Sequence, residues 1–373
     1  MALAAPLSAE DAQVQSMPDA SPAKWHLAHV TWFFETFLLE QFEPSFRAFD
    51  ASFRVLFNSY YQGVGERFVR AQRGLITRPT LEEVKRYRMD VDQRMSAVIA
   101  DHAQNPEFRA LVLLGLSHEQ QHQELLLTDI LHAFSALPGR AYDAAWAQKQ
   151  LDSALGWATF EGGLTETGYC SQRDGEFCFD NETPRHRNYL PPFEIATRPV
   201  NNAEYQGFID DGGYRRPELW LSLGWDWVQI KQRKAPLYWL GEQQHTLAGL
   251  VARNPQEPVC HLSYFEAEAF ARWSAARLPT EFEWEHAARS DAQLQGMTGH
   301  LWQWTSSSYA PYPGYRPLPG AVGEYNGKFM CMQYVLRGGS LATPAGHARA
   351  SYRNFFPPDM QWQFCGVRLA RDI

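Results

Sequence analysis

Ser117-His118-Glu119-Gln120-Gln121-His122-Gln123-Glu124 lies within a largely apolar run from Leu111 to Leu131. His118 and His122 are four residues apart, so on a helix both imidazoles leave one face, one turn from each other. At that spacing two nitrogens can hold one transition-metal ion. Two histidines leave coordination positions empty, so a third ligand has to come from elsewhere in the chain.

The residues upstream form helices that could supply it. From Ser21 to Phe42 the pattern is helical. Ser21-Pro22 serves as N-cap and first position, and Trp25, Ala28, His29, Trp32, Phe33, Thr36 and Phe37 recur at 3–4 spacing. His29 lies on this apolar stripe, and His26, three residues earlier, competes with it as the third ligand. Thr80-Leu81-Glu82-Glu83 has the capping-box form and opens a helix to about His102. Pro106 breaks the chain, and the His118 helix runs from there to about Phe134, stopped by Leu137-Pro138-Gly139.

These helices predict a helical bundle over residues 1–150, and bundles build metal sites from side chains on facing helices. Three neutral imidazoles suit zinc or iron(II) equally. The bland alternative is a solvated and a core histidine on one helix. His118-Glu119-Gln120-Gln121-His122 also fits the H-E-x-x-H pattern, with Glu119 as base, so a metallohydrolase is the rival chemistry.

With 373 residues the chain has room for two cores. The net charge of −8 and the lack of a basic block exclude nucleic acid as an expected partner. Five cysteines (Cys170, Cys178, Cys260, Cys331 and Cys365) are scattered without a CxxC, which suits free thiols in a reducing cytoplasm. MALAAPLSAEDAQVQS lacks the basic start of a signal peptide, and no apolar run approaches a membrane span. Aromatic residues make up 14% of the chain, enough to build pockets for a cationic ligand.

Near residue 150 the helical periodicity fades, and short apolar-aromatic runs alternate with Gly, Pro, Asn and Asp. Pro258-Val259-Cys260-His261-Leu262 reads as a strand leading into a helix from Ser263 to Ala275. A second short helix follows Pro279-Thr280-Glu281. Residues 151–373 are therefore expected to form an irregular, loop-rich domain, and the whole chain an α+β protein.

Two resemblances sharpen this reading. PDASPAKWHLAHVTWFFETFLL, FNSYYQGVGERF and SHEQQHQELLLTDI resemble the DinB-like domain of the ergothioneine-pathway sulfoxide synthases. FEIATRPVNNAEYQGFI, PVCHLSYFEAEAFARWSAARLPTEFEWEHAAR, GHLWQWT and VLRGGS resemble the formylglycine-generating-enzyme (sulfatase-modifying-factor) domain, a C-type-lectin-like fold. The paired resemblance implies a mononuclear non-haem iron(II) enzyme that uses O2 to join a thiol to hercynine, leaving a sulfoxide. It places the iron on His29, His118 and His122, and hercynine contacts on Gln121 and Asn354. Proton transfer falls to Tyr60 and Tyr61. Phe356 stands where the branch using glutamyl-cysteine has an acidic residue, which implies free cysteine as the thiol.

Trimethylammonium recognition needs aromatic faces, for which Phe355, Phe356 and Trp362 are candidates. Arg67, Arg70 and Arg73 are candidates to clamp a substrate carboxylate. The chain departs from the family in Phe68-Val69-Arg70-Ala71-Gln72-Arg73-Gly74, where the usual His-Pro is lost. It departs again at His300 and Gln303 in Gly299-His300-Leu301-Trp302-Gln303-Trp304, and in a short stretch between Arg289 and Gly299. These changes bear on the thiol side. The related selenoneine synthases, which take a selenosugar as donor, are the nearest alternative, and a non-catalytic binding protein is a more distant one. Cys331 and Cys365 lack the context that formylglycine generation needs, so that activity is not expected.

Overall fold

The computed structural model describes residues 1–137, 139–151, 154–290 and 292–373. Pro138, expected to help stop the His118 helix, and Asp291, in the short stretch after Arg289, lie outside the described residues. The chain forms two compact units. One comprises Met1–Tyr142 with Leu318–Tyr325, and the other comprises Asp143–Pro317 with Asn326–Ile373. No described helix is long and apolar enough to cross a membrane.

The first unit is helical. α1 (Ala23–Phe34) is buried along its whole length, as a helix enclosed on all sides must be. It packs against both α2 (Leu81–His102) and α3 (Pro106–Ser135). Thr80 caps α2 in a reciprocal box with Glu83, and the buried Leu81, Val84, Tyr87, Val91, Met95 and Val98 recur at helical spacing. Pro106 is the first residue of α3 rather than a simple break. Asn105 caps it, accepting from the Glu107 and Phe108 amides.

The start of α1 differs from expectation. Pro22 takes the N-cap position and Ser21 makes no cap, because its amide donates to Asp129 and its hydroxyl accepts from Arg73. The same helix does not run unbroken to Phe42, since Glu35–Leu39 forms a π-helical turn before Glu40–Phe42.

Gly115 marks a close approach of α3 to α1. A Cβ there would stand 2.8 Å from Cε1 and 2.9 Å from Cζ of Phe34. Gly115→Ala gains helix propensity of about 1 kcal/mol, against overpacking that costs about 1–3 kcal/mol. The variant is expected to be less stable by about 1–2 kcal/mol, since Phe33 also crowds the position and limits repacking. A urea unfolding midpoint equal to or above that of the parent would contradict this packing.

The second unit contains the sheets. β1 (Trp157–Phe160), β4 (Phe193–Ala196) and β12 (Ala370–Asp372) form an antiparallel sheet, and β2 (Gly163–Thr167) and β3 (His186–Leu190) form a hairpin. A small meander joins β5 (Trp239–Leu240), β6 (Gln243–Thr246) and β7 (Gly249–Ala252). The fourth sheet has the order β10-β9-β8-β11, from β8 (Trp302–Ser308), β9 (Tyr334–Arg337), β10 (Asn354–Phe356) and β11 (Cys365–Gly366), with β11 parallel to β8. The longer helices beside them are α4 (Asn202–Asp210), α5 (Ser222–Lys231), α6 (Tyr264–Trp273) and α7 (Glu281–Ala288). Ser263 and Thr280 cap α6 and α7 through boxes with Glu266 and Glu283.

Residues 258–262 do not form the expected strand. Only Pro258 makes a bridge, to Asn201. The Val259 and Leu262 amides bond to separate partners, Val200 and Cys365, and His261 takes a φ of 64° that breaks an extended run. Gln303, the family departure, has a packing rationale. Its carbonyl accepts from Trp284 at 2.9 Å and Arg368 at 2.7 Å, while its amide nitrogen donates to the Gly296 and Met297 carbonyls. A carboxylate could not make the last two bonds.

Candidate metal centre

Two helices of the first unit bring the histidines together. α1 carries His26 and His29, and α3 carries His118, His122 and Asp129, the aspartate eleven residues (129 − 118) and about three turns beyond His118. One nitrogen each from His29, His118 and His122 lies within 4.8 Å of the others. His29 Nε2 and His118 Nε2 are 3.1 Å apart. Two imidazole nitrogens about 2.1 Å from a shared ion, at right angles, would stand about 3 Å apart.

The electrostatics suit cation binding. His29 is fully buried, and its Nδ1 donates to the Phe57 carbonyl at 2.6 Å, so the neutral ring has its lone pair on Nε2. Burial, reinforced by His118, holds the His29 imidazole well below its usual range. The same two causes act on His122, and burial takes His118 down to about 3. Neutral imidazoles each keep one lone-pair nitrogen that a cation can take, which is the state a metal needs. Trp25 and Trp32 sandwich the His29 ring at 4.5 and 5.6 Å, fixing its plane, and Phe33 lies 4.7 Å from His118.

His26 is not part of this cluster. Both its nitrogens are engaged elsewhere: Nδ1 lies 2.8 Å from His122 Nδ1, and Nε2 lies 3.0 Å from Asp129 Oδ2. Glu119, the peptidase-like base, accepts from Arg88 at 3.0 Å instead.

The loop from Asn58 to Glu66 adds the tyrosines. Buried Asn58 accepts from the Tyr61 amide and donates to the Tyr61 and Glu66 carbonyls, closing the loop on itself. Tyr61 is wholly buried against Trp32, Phe37 and Tyr60. Burial, followed by Tyr60 and Tyr325, pushes its phenol well above the usual range. Gln121 accepts from the Tyr325 hydroxyl, and the Tyr325 ring lies 5.7 Å from His118 and 6.2 Å from Tyr60. Glu324 holds the loop by accepting from the Gln62 and Gly63 amides.

Arg73 is buried, with its guanidinium 3.4 Å over Trp25 and donating to the Ser21 and Ser59 hydroxyls. Burial, then nearby Arg70, lowers it to about 8. Arg70 is exposed and donates to the Asp19 carbonyl, and Arg67 donates to the Ser59 carbonyl.

The sulfatase-modifying factor enzyme 1-like domain matches residues 147–295 and 290–373, and the DinB superfamily matches residues 1–126. The hercynine oxygenase of Mycolicibacterium thermoresistibile is 32% identical over 98% of this chain and 91% of its own length. That of Mycobacterium tuberculosis is 32% identical over 98% and 94%, and that of Mycolicibacterium smegmatis 33% identical over 72% and 73%. The chain belongs to the hercynine oxygenase family.

In this member of the family, His29, His118, His122, Gln121, Tyr60, Tyr61 and Arg73 all lie in the helical unit. The other expected substrate contacts, Asn354, Phe355 and Phe356, form β10 of the second unit. There Phe355 stacks on Tyr309 at 4.1 Å and Phe356 meets the edge of Trp362 at 5.5 Å. Sequence reasoning missed Tyr325, Glu324 and Asp129 altogether. Asp129 shares the α3 stripe with the two histidines, a signal that could have found it. Tyr325 reaches Gln121 across 204 residues of chain, and no spacing rule anticipates that.

Proposed function

We propose that the chain is an iron(II)-dependent enzyme that uses O2 to join hercynine to the thiol of cysteine. The imidazole loses a C–H hydrogen and the thiol its S–H hydrogen. One oxygen atom ends in the sulfoxide and the other, with both hydrogens, in water. The observation that carries this reading is the cluster of His29, His118 and His122, with one nitrogen of each within 4.8 Å of the others, in a chain 32% identical to hercynine oxygenases over nearly its full length. His29, His118 and His122 would hold the ion through their bare nitrogens. Bound iron(II) would supply open positions at which both substrates and O2 meet.

The remaining residues bind and move protons. Gln121, next in sequence to His122, offers an amide to hercynine. Tyr325 lies against His118 and donates to Gln121, which suits it, with Tyr60 beside it, to pass a proton to reduced oxygen. Tyr61 stays protonated at neutral pH behind them. Arg73 and Arg70 are assigned to a substrate carboxylate, and Asn354, Phe355 and Phe356 to the trimethylammonium end. Phe356 in place of an acidic residue favours the smaller thiol.

The test is anaerobic reconstitution with Fe(II), followed by hercynine, O2 and one donor, read by mass spectrometry. Cysteine is expected to give the sulfoxide adduct, with γ-glutamylcysteine and a selenosugar giving at most traces. Product from the selenosugar alone would replace the thiol reading with C–Se bond formation. No product from any donor would overturn hercynine as substrate.

A further inference from the structure

We propose that His26 and Asp129 are positioning residues that lock His122 in one tautomer and so keep its Nε2 bare toward the metal. The inference rests on the reading that His29, His118 and His122 hold a divalent ion. His26 and Asp129 are buried, at 4% and 8% exposure, so water does not compete for their bonds. Asp129 Oδ2 already accepts from the Ser21 amide at 2.8 Å, which fixes the carboxylate as an acceptor facing His26.

The rest follows by counting protons. A carboxylate cannot donate, so His26 Nε2 carries the hydrogen at the 3.0 Å contact. With its ring hydrogen on Nε2, His26 has its lone pair on Nδ1. The 2.8 Å contact between His26 Nδ1 and His122 Nδ1 needs one donor and one acceptor, so His122 Nδ1 must donate. That leaves the lone pair of His122 on Nε2. His29 reaches the same state independently through the Phe57 carbonyl. Outer partners of this kind orient a ligand and raise its basicity, and losing one typically costs about 10–100-fold in metal affinity.

Two measurements test this. His26→Phe keeps the ring volume but removes the acceptor, whereas His26→Asn can place an amide oxygen where Nδ1 stood. Co(II) or Fe(II) affinity, measured anaerobically by chelator competition, is expected to fall about 10–100-fold in His26→Phe and to recover most of that loss in His26→Asn. The visible Co(II) spectrum should report a changed ligand field in the first variant only. Independently of any variant, 15N–1H correlation spectra of metal-free, 15N-histidine-labelled protein should find His122 protonated at Nδ1. Protonation at Nε2, parental affinity in His26→Phe, or equal losses in both variants would overturn the proposal. A wild-type protein that binds neither metal would instead overturn the reading beneath it.

Discussion

Replacing His118 by alanine is expected to leave the protein without retained iron and to remove its turnover. His118 is one of only three imidazoles in the described cluster, and its Nε2 stands 3.1 Å from His29 Nε2. Two remaining nitrogens hold a divalent ion weakly, and the two rival ligands, His26 and Glu119, are tied to His122 and Asp129 and to Arg88. Loss of an outer partner typically costs about 10–100-fold, and loss of a ligand itself should exceed that. Metal analysis after anaerobic loading and desalting is the measurement, with thermal unfolding of the metal-free protein as the control for the cavity left beside Phe33. Near-stoichiometric iron in the folded variant would remove His118 from the ligand set.

Part of this centre was legible from short-range rules. His118 and His122 announce themselves by four-residue spacing, and His29 by its place on an apolar stripe, because helical geometry is local. The capping boxes at Thr80, Ser263 and Thr280 are local too, and each opens a helix. His26 shows where this ends. Its spacing from His29 makes it as good a ligand on paper, and its contacts to His122 and Asp129, 96 and 103 residues away, draw it off. Ser21 loses its capping role for the same kind of reason, since its amide and hydroxyl serve Asp129 and Arg73. In the second unit the extended look of residues 258–262 fails because their amides pair with separate segments and His261 turns the chain. Gln303 read only as a departure from the family, but its value lies in two donor bonds to loop carbonyls that only the fold supplies.

Glu281→Ala should destabilise the second unit by about 3–5 kcal/mol. Its carboxylate accepts from Arg353 Nε and Arg337 Nη2, both at 2.8 Å, from Arg353 Nη2 at 2.9 Å and from the Tyr312 hydroxyl at 3.1 Å. Arg337 and Arg353 are 0% and 1% exposed, so neither can turn to water. Burial alone would push the Glu281 carboxyl up, yet Arg353 and Arg337 hold it below the usual range, so it is ionised in the folded state. Alanine would leave two buried guanidiniums with Glu285 as the remaining carboxylate, which meets Arg337 at 3.2 Å. Breaking a buried pair from one side costs about 3–5 kcal/mol, a large share of a typical stability of about 5–15 kcal/mol. Urea unfolding followed by tryptophan fluorescence should register that loss, and a change under about 1 kcal/mol would mean the cluster behaves like a solvated pair. The double variant Glu281→Leu with Arg353→Leu separates the causes. If the cost arises from the stranded charge, it should be less unstable than Glu281→Ala alone, because replacing both partners removes the charge as well as the bond. Since Arg353 immediately precedes β10, the same cluster anchors the strand that carries Asn354, Phe355 and Phe356.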